Sequence, residues 1–86
     1  MLRPDQCRAA RAFLDWSQTD LATAAHLGLS TIRDFEKGRR LPAHNNLLAI
    51  KLALEHAGII FLSADGEGPG VRLRIEGAPR DTKARG

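Results

Sequence analysis

The sequence predicts a mainly α fold in which four short helices are followed by a two-stranded β-hairpin. Up to residue 58, apolar residues recur at intervals of three and four, which is the period of amphipathic helices. After residue 58 they form one short run and then alternate with charged residues, as they do in strands. We therefore expect a helical domain at 1–58, a β-hairpin at 59–76 and a flexible tail at 77–86.

The composition of the chain limits the class of protein. A chain of 86 residues forms one small domain, and its net charge of +3 favours a polyanion such as nucleic acid as partner. The single cysteine, Cys7, excludes an internal disulfide and fits a reducing compartment. No apolar run is long enough to span a membrane, and the N-terminus lacks the apolar segment of a signal peptide. We expect a cytoplasmic protein that does not bind membranes.

The first helix is predicted at 4–14, because Pro4 suits a first helical turn and Asp5 lies near the positive end of the helix dipole. Its predicted inner face consists of Cys7, Ala10, Phe13 and Leu14, and its other faces carry Gln6, Arg8 and Asp15. The second helix is predicted at 18–25, since Ser17 and Asp20 have the spacing of a capping box. Its inner face consists of Leu21, Ala22 and Ala25.

The third helix is predicted at 29–37, with Ile32 and Phe35 inward and Gly38 as its stop. The fourth is predicted at 45–57 and ends before Gly58. Its inner face consists of Leu47, Ile50, Leu54 and Ala57. The apolar run Ile59–Leu62 predicts one strand of the hairpin. The other strand consists of Val71, Leu73 and Ile75 in alternation with Arg72, Arg74 and Glu76, after a glycine-rich turn at 63–70.

The second and third helices are joined by a connection so short that they must cross steeply, and Ala22 is small enough to let them touch. This arrangement predicts a helix-turn-helix, whose second helix enters the major groove of DNA. The prediction explains why the third helix has a polar face and is followed by a basic turn. The polar face is expected to point away from the core, toward bases and phosphates.

The residues around this turn form an extended pattern, which comprises Trp16-Ser17-Gln18, Leu21-Ala22, Thr31-Ile32, Phe35-Glu36 and Gly38. Read as one string, SQ..LA.........I..FE.G, the pattern resembles the XRE family of phage-repressor and Cro-like helix-turn-helix regulators. The resemblance covers residues 4–58 and implies a lambda-repressor-like domain. Residues 59–76 resemble, less specifically, a two-stranded extension of some small bacterial members.

The resemblance also implies roles for individual residues. Gln18 matches a glutamine that touches the DNA backbone and braces the first recognition residue. The resemblance implies that Leu29, Ser30 and Asp34 face base edges, with Thr31 and Arg33 beside them. It also implies that Lys37, Arg39 and Arg40 contact phosphates. Arg11 and Glu36 match an arginine and a glutamate that join the first helix to the third.

Four residues depart from the family pattern. His26 replaces the turn glycine, and histidine tolerates the left-handed conformation better than most residues. Gly28 replaces the usual serine cap of the third helix and is a moderate cap. Leu29 can contact a thymine methyl but not a guanine edge, and Asp34 repels phosphates but can accept from a cytosine amine.

These observations predict a sequence-specific DNA-binding regulator, acting as a homodimer that represses transcription from an inverted-repeat operator. The two strands offer more apolar surface than a small four-helix unit needs, so the hairpin is expected to form the dimer. Two alternatives stay open: an antitoxin that also binds a toxin partner, and a helix-turn-helix used to sequester another protein. We expect no cofactor, no metal site and no enzymatic activity. Arg72 and Arg74 are expected on the exposed strand face, with a second DNA contact as the alternative.

Overall fold

The structure is a computed structural model that describes residues 2–62 and 70–73. Two predictions fall on other residues and lie outside the described part of the chain. The first is the part of the predicted hairpin that comprises the turn residues 63–69 and the predicted strand residues Arg74, Ile75 and Glu76. The second is the tail at 77–86.

The four helices form where the sequence predicts them, with two small differences in their bounds. They are α1 (Pro4–Leu14), α2 (Gln18–Ala25), α3 (Leu29–Glu36) and α4 (His44–His56). The predicted ranges of α1 and α2 are confirmed. Helix α3 ends one residue earlier than predicted, because Lys37 is its C-cap and Gly38 adopts a left-handed φ of +74°. Helix α4 is displaced by one residue toward the N-terminus.

The hairpin consists of β1 (Ile59–Leu62) and β2 (Gly70–Leu73), which pair antiparallel. One face of the hairpin carries two cross-strand pairs, Ile59 with Leu73 and Phe61 with Val71. All four contact the helical core, and Ile59 is only 1% exposed. This face of the hairpin packs against the helices of the same chain, where Phe61, Val71 and Leu73 are half-buried.

The core lies between the helices and the inner face of the hairpin. Its largest fully buried side chains are Cys7, Leu21, Ile32, Phe35, Ile50, Leu54 and Ile59. Most of the predicted inner faces are confirmed, including Leu47, Ile50 and Leu54 on α4, whereas Ala57 lies beyond the end of that helix and is half-buried.

Helix α1 differs from its predicted orientation at two residues. Phe13 is 51% exposed although it was expected to point inward, and Gln6 is buried although it was expected on another face. The two residues are seven apart and therefore lie on the same side of the helix. Strand β2 covers that side near the beginning of the helix, where Gln6 Nε2 donates to the Gly70 carbonyl at 3.1 Å. Phe13 lies in the last turn of α1 and stays exposed.

Candidate nucleic-acid interface

The turn between α2 and α3 fixes the angle between these helices. His26 caps α2 with a left-handed backbone, φ 59° and ψ 43°, as expected for the position of a turn glycine. The Leu27 amide then donates to the Ala22 carbonyl at 2.9 Å, and Ala22 is buried. At the other end of α2, the Ser17 hydroxyl and the Asp20 carboxylate exchange hydrogen bonds with each other's amides, which confirms the capping box.

One buried carboxylate joins the three N-terminal helices. Glu36, on α3, is 3% exposed, and Arg11 of α1 donates to it from Nε and Nη2, both at 2.7 Å. Gln18 of α2 donates to it at 3.0 Å, and the thiol of Cys7 donates at 3.1 Å. We call these four residues the Glu36 cluster. It confirms the predicted Arg11–Glu36 pair and fixes α3, on its inner side, relative to α1 and α2.

The charges of this cluster stabilise each other. Burial alone raises the pKa of Glu36, but the hydrogen bonds from Arg11, Gln18 and Cys7 outweigh burial, and the net pKa is lowered. The hydrogen bond to Glu36 raises the pKa of Arg11. Burial, with the nearby carboxylate, also raises the pKa of the Cys7 thiol. At neutral pH the cluster is therefore a thiol, a guanidinium and a carboxylate, each in its most favourable charge state.

The lowered pKa of Glu36 predicts loss of stability in acid. Its pKa in the folded protein lies below the ordinary value of 4.5, so the unfolded chain binds more protons near that pH. The resulting stabilisation is present above pH 4.5 and is lost as the pH falls through the folded pKa. We expect the urea midpoint of the natural protein to fall over this range more steeply than that of the Glu36→Gln protein. Parallel curves for the two proteins would contradict the prediction.

The sequence-predicted contact residues divide into exposed and half-buried groups. The exposed group consists of Ser30, Arg33, Lys37, Arg39 and Arg40, and the half-buried group of Gln18, Leu29, Thr31 and Asp34. The amide of Gln18 donates to Glu36, so its observed contact is with the cluster rather than with Leu29, the first recognition residue. The four basic residues take part in none of the side-chain hydrogen bonds found among residues 2–62 and 70–73.

A groove runs along one side of α3, between this helix and the turn that leads to α4. It has a volume of about 250 Å³ and is lined by Ser30, Thr31, Asp34, Arg40, Leu41, Pro42, Ala43 and Asn46. We call it the α3 groove. It brings four of the predicted residues together, Ser30, Thr31, Asp34 and Arg40, whereas Leu29, Arg33, Lys37 and Arg39 do not line it. The groove therefore combines one cation and one anion with two hydroxyls and an amide.

Three residues with a place in this region had not been identified from the sequence. Arg8 donates to the Glu36 carbonyl at the end of α3, and Cys7 donates to the Glu36 carboxylate. Asn46, on α4, lines the α3 groove. The spacing of residues along a helix gives no signal for such contacts, since each partner lies on a distant segment.

Within the part of the chain that the structure describes, no cluster of three or more His, Cys, Asp or Glu residues is arranged to bind a metal ion. None of the helices described there has the length and apolarity to cross a membrane.

A family model described as helix-turn-helix matches residues 8–55, which is more than half of the chain. The matched range contains the whole of α2 and α3, the Glu36 carboxylate and every residue of the α3 groove. No curated protein matches the chain significantly.

Proposed function

This chain belongs to the helix-turn-helix family of XRE/Cro-like DNA-binding regulators, and from that premise we propose that it represses transcription as a homodimer on an inverted-repeat operator. The observation that carries the proposal is the surface of α3 and the turn after it. This surface carries Arg33, Lys37, Arg39 and Arg40, all exposed, beside the polar α3 groove. Exposed cations suit phosphates, and short polar side chains suit base edges.

Repression needs no contact beyond those with DNA and between the two subunits, because a bound dimer can exclude polymerase from the promoter. The proposal also places the protein in the cytoplasm, with double-stranded DNA as its partner. Protection of a DNA segment upstream of its own gene would test both steps at once. We expect protection of two half-sites about 34 Å apart, and binding that weakens as salt concentration rises. Failure to shift any upstream segment at low salt would contradict the proposed function.

We propose that the preference of the protein for particular DNA base pairs depends on Ser30 and Asp34. They are four residues apart, lie on the same side of α3 and line the same groove. Losing a base contact costs about 1–3 kcal/mol at one base pair and little at others. We expect Ser30→Ala and Asp34→Ala each to relax the preference at one operator position, measured by binding to a set of single base-pair variants. If either substitution weakens all variants equally, that residue does not contact a base.

The dimer is proposed to form through the outer face of the hairpin, since the inner face is covered by the helices. The outer face carries Ile60, Arg72 and Leu62, which is 37% exposed. A symmetric pair of hairpins would cover these apolar side chains and unite two recognition helices in one binding event.

We expect Leu62→Lys to convert the dimer to a monomer in sedimentation at micromolar concentration and to lower operator affinity at least about tenfold. Leu52→Lys is the matched control, because Leu52 is an exposed leucine that belongs to α4 and not to the hairpin. Deleting residues 59–86 is a poorer test, because it removes Ile59 from the core. A natural chain that is monomeric at micromolar concentration and shifts DNA as one protein per site would contradict the dimer.

A further inference from the structure

A second opening shares a wall with the α3 groove. It has a volume of about 290 Å³, lies between the start of α1 and the end of α3, and is called here the α1 pocket. The residues that line it include Leu2, Arg3, Phe35, Gly38, Arg40 and Leu41. Arg40 and Leu41 also line the α3 groove, and they therefore belong to the wall between the two openings.

The α1 pocket has an apolar interior. Phe35 and Leu2 are 1% and 5% exposed, so they form its closed side. Leu41 is 62% exposed, which is the largest exposed fraction among the large apolar side chains of residues 2–62 and 70–73. An apolar molecule seated in the pocket would cover part of Leu41 and remove that surface from water, which favours binding.

The two arginines of the pocket differ in how their charges are balanced. Arg3 donates to the Asp5 carboxylate from Nε and Nη2, both at 3.1 Å. Arg40 takes part in none of the ion pairs found in the described part of the chain, although Asp34 lines the α3 groove with it. The pocket therefore combines apolar walls with one cation whose charge no ion pair balances there. This combination suits a ligand that is apolar and carries a single negative charge.

We propose that the α1 pocket binds a small molecule with an apolar body and one carboxylate, and that this ligand weakens DNA binding. The body of the ligand covers Leu41, and its carboxylate pairs with Arg40. Arg40 is one of the cations that the proposed function assigns to DNA phosphates, so a carboxylate bound beside it neutralises that cation and repels the phosphate. The effect on DNA rests on the proposed function, whereas the binding site itself does not.

Binding is tested on the natural chain without DNA, by following backbone amide signals in NMR titrations with 2-naphthoate and with its neutral analogue 2-naphthamide. We expect 2-naphthoate to shift the signals of Gly38 and Leu41 with a dissociation constant of about 1 mM or lower. The amide should bind about tenfold more weakly, because it lacks the charge. A second apolar groove, lined by residues that include Trp16, Ala24 and Ala53 but no arginine or lysine, is the internal control, and its signals should not shift.

Two pairs of variants identify the groups that hold the ligand. Arg40→Gln should weaken 2-naphthoate about tenfold and leave 2-naphthamide unchanged, whereas Arg3→Gln should have a smaller effect because Asp5 already pairs with Arg3. Leu41→Ala should weaken both compounds roughly fivefold. Leu48→Ala is its matched control, since Leu48 is an exposed leucine that belongs to α4 and not to the pocket.

The effect on DNA is measured with the pocket saturated by 2-naphthoate, and with sodium acetate at the same concentration as the control for ionic strength. We expect 2-naphthoate to lower operator affinity about tenfold and the salt slope by about 1, and acetate to do neither. Natural DNA affinity with the pocket saturated would overturn the proposed regulation. Shifts confined to the second groove, or equal losses in the Arg40→Gln and Arg3→Gln proteins, would overturn the site. If the natural chain binds no duplex at low salt, the proposed function fails and the regulation with it, while the titrations still decide whether the pocket binds the anion.

Discussion

The triple variant Arg33→Ala, Arg39→Ala, Arg40→Ala is expected to lose about three orders of magnitude in DNA affinity while remaining folded. Each arginine is exposed and lies on α3 or directly after it. Loss of one phosphate contact lowers the salt slope by about 1, so the triple variant should lower it by about 3. Because phosphate contacts do not select bases, the loss should be similar on all sequences. Fluorescence anisotropy at several salt concentrations measures both quantities.

Lys51→Ala is the control for a general effect of charge. Lys51 is a cation on α4 with a side chain that is 42% exposed, and it belongs neither to α3 and the turn after it nor to the hairpin. We expect it to leave affinity nearly unchanged. Unchanged affinity in the triple variant would count strongly against DNA binding by this surface, provided that its urea midpoint shows an intact fold.

Glu36→Ala is expected to destabilise the protein by about 3–5 kcal/mol, which is a large part of the stability of a small domain. The substitution leaves the Arg11 guanidinium half-buried without its carboxylate and removes acceptors from Gln18 and Cys7. Urea and thermal unfolding measure the loss. A Glu36→Ala protein as stable as the natural one would show that the cluster contributes little.

Two further variants separate charge from geometry in the same pair. Arg11→Lys keeps the positive charge but cannot make the two parallel hydrogen bonds that Arg11 makes at 2.7 Å. We expect it to lose less stability than Arg11→Ala and more than an exposed substitution. The double variant Arg11→Ala, Glu36→Ala should be destabilised by less than the sum of its single changes, because neither charge is then left unpaired. Additive losses would contradict a direct interaction.

Helix positions could be predicted from the sequence because their signals are local. Pro4, the capping box at Ser17–Asp20 and the stop at Gly38 each act within one turn of the helix they bound. The Arg11–Glu36 pair and the left-handed His26 were implied by the family resemblance, and the structure contains both.

The residues that were misassigned have partners far along the chain. Gln6 is buried beside β2, where the Gly70 carbonyl accepts a hydrogen bond from its amide, whereas Phe13 on the same side of α1 stays exposed. Periodicity within α1 cannot distinguish these cases, since it ranks residues by hydropathy and not by what covers them. Periodicity could not identify Asn46 either, since this residue lines the α3 groove only because the turn after α3 brings α4 beside it.

The hydrogen bond between Gln6 and Gly70 has a consequence for the chain during its synthesis. The two residues are 64 positions apart, so α1 is synthesised well before the strand that covers its first turn. Ile59, at the start of β1, also joins the core only after all four helices have been made. A segment folds stably only when the residues that complete its core have been made. The helices that precede the hairpin therefore gain their final support only after the hairpin has been made.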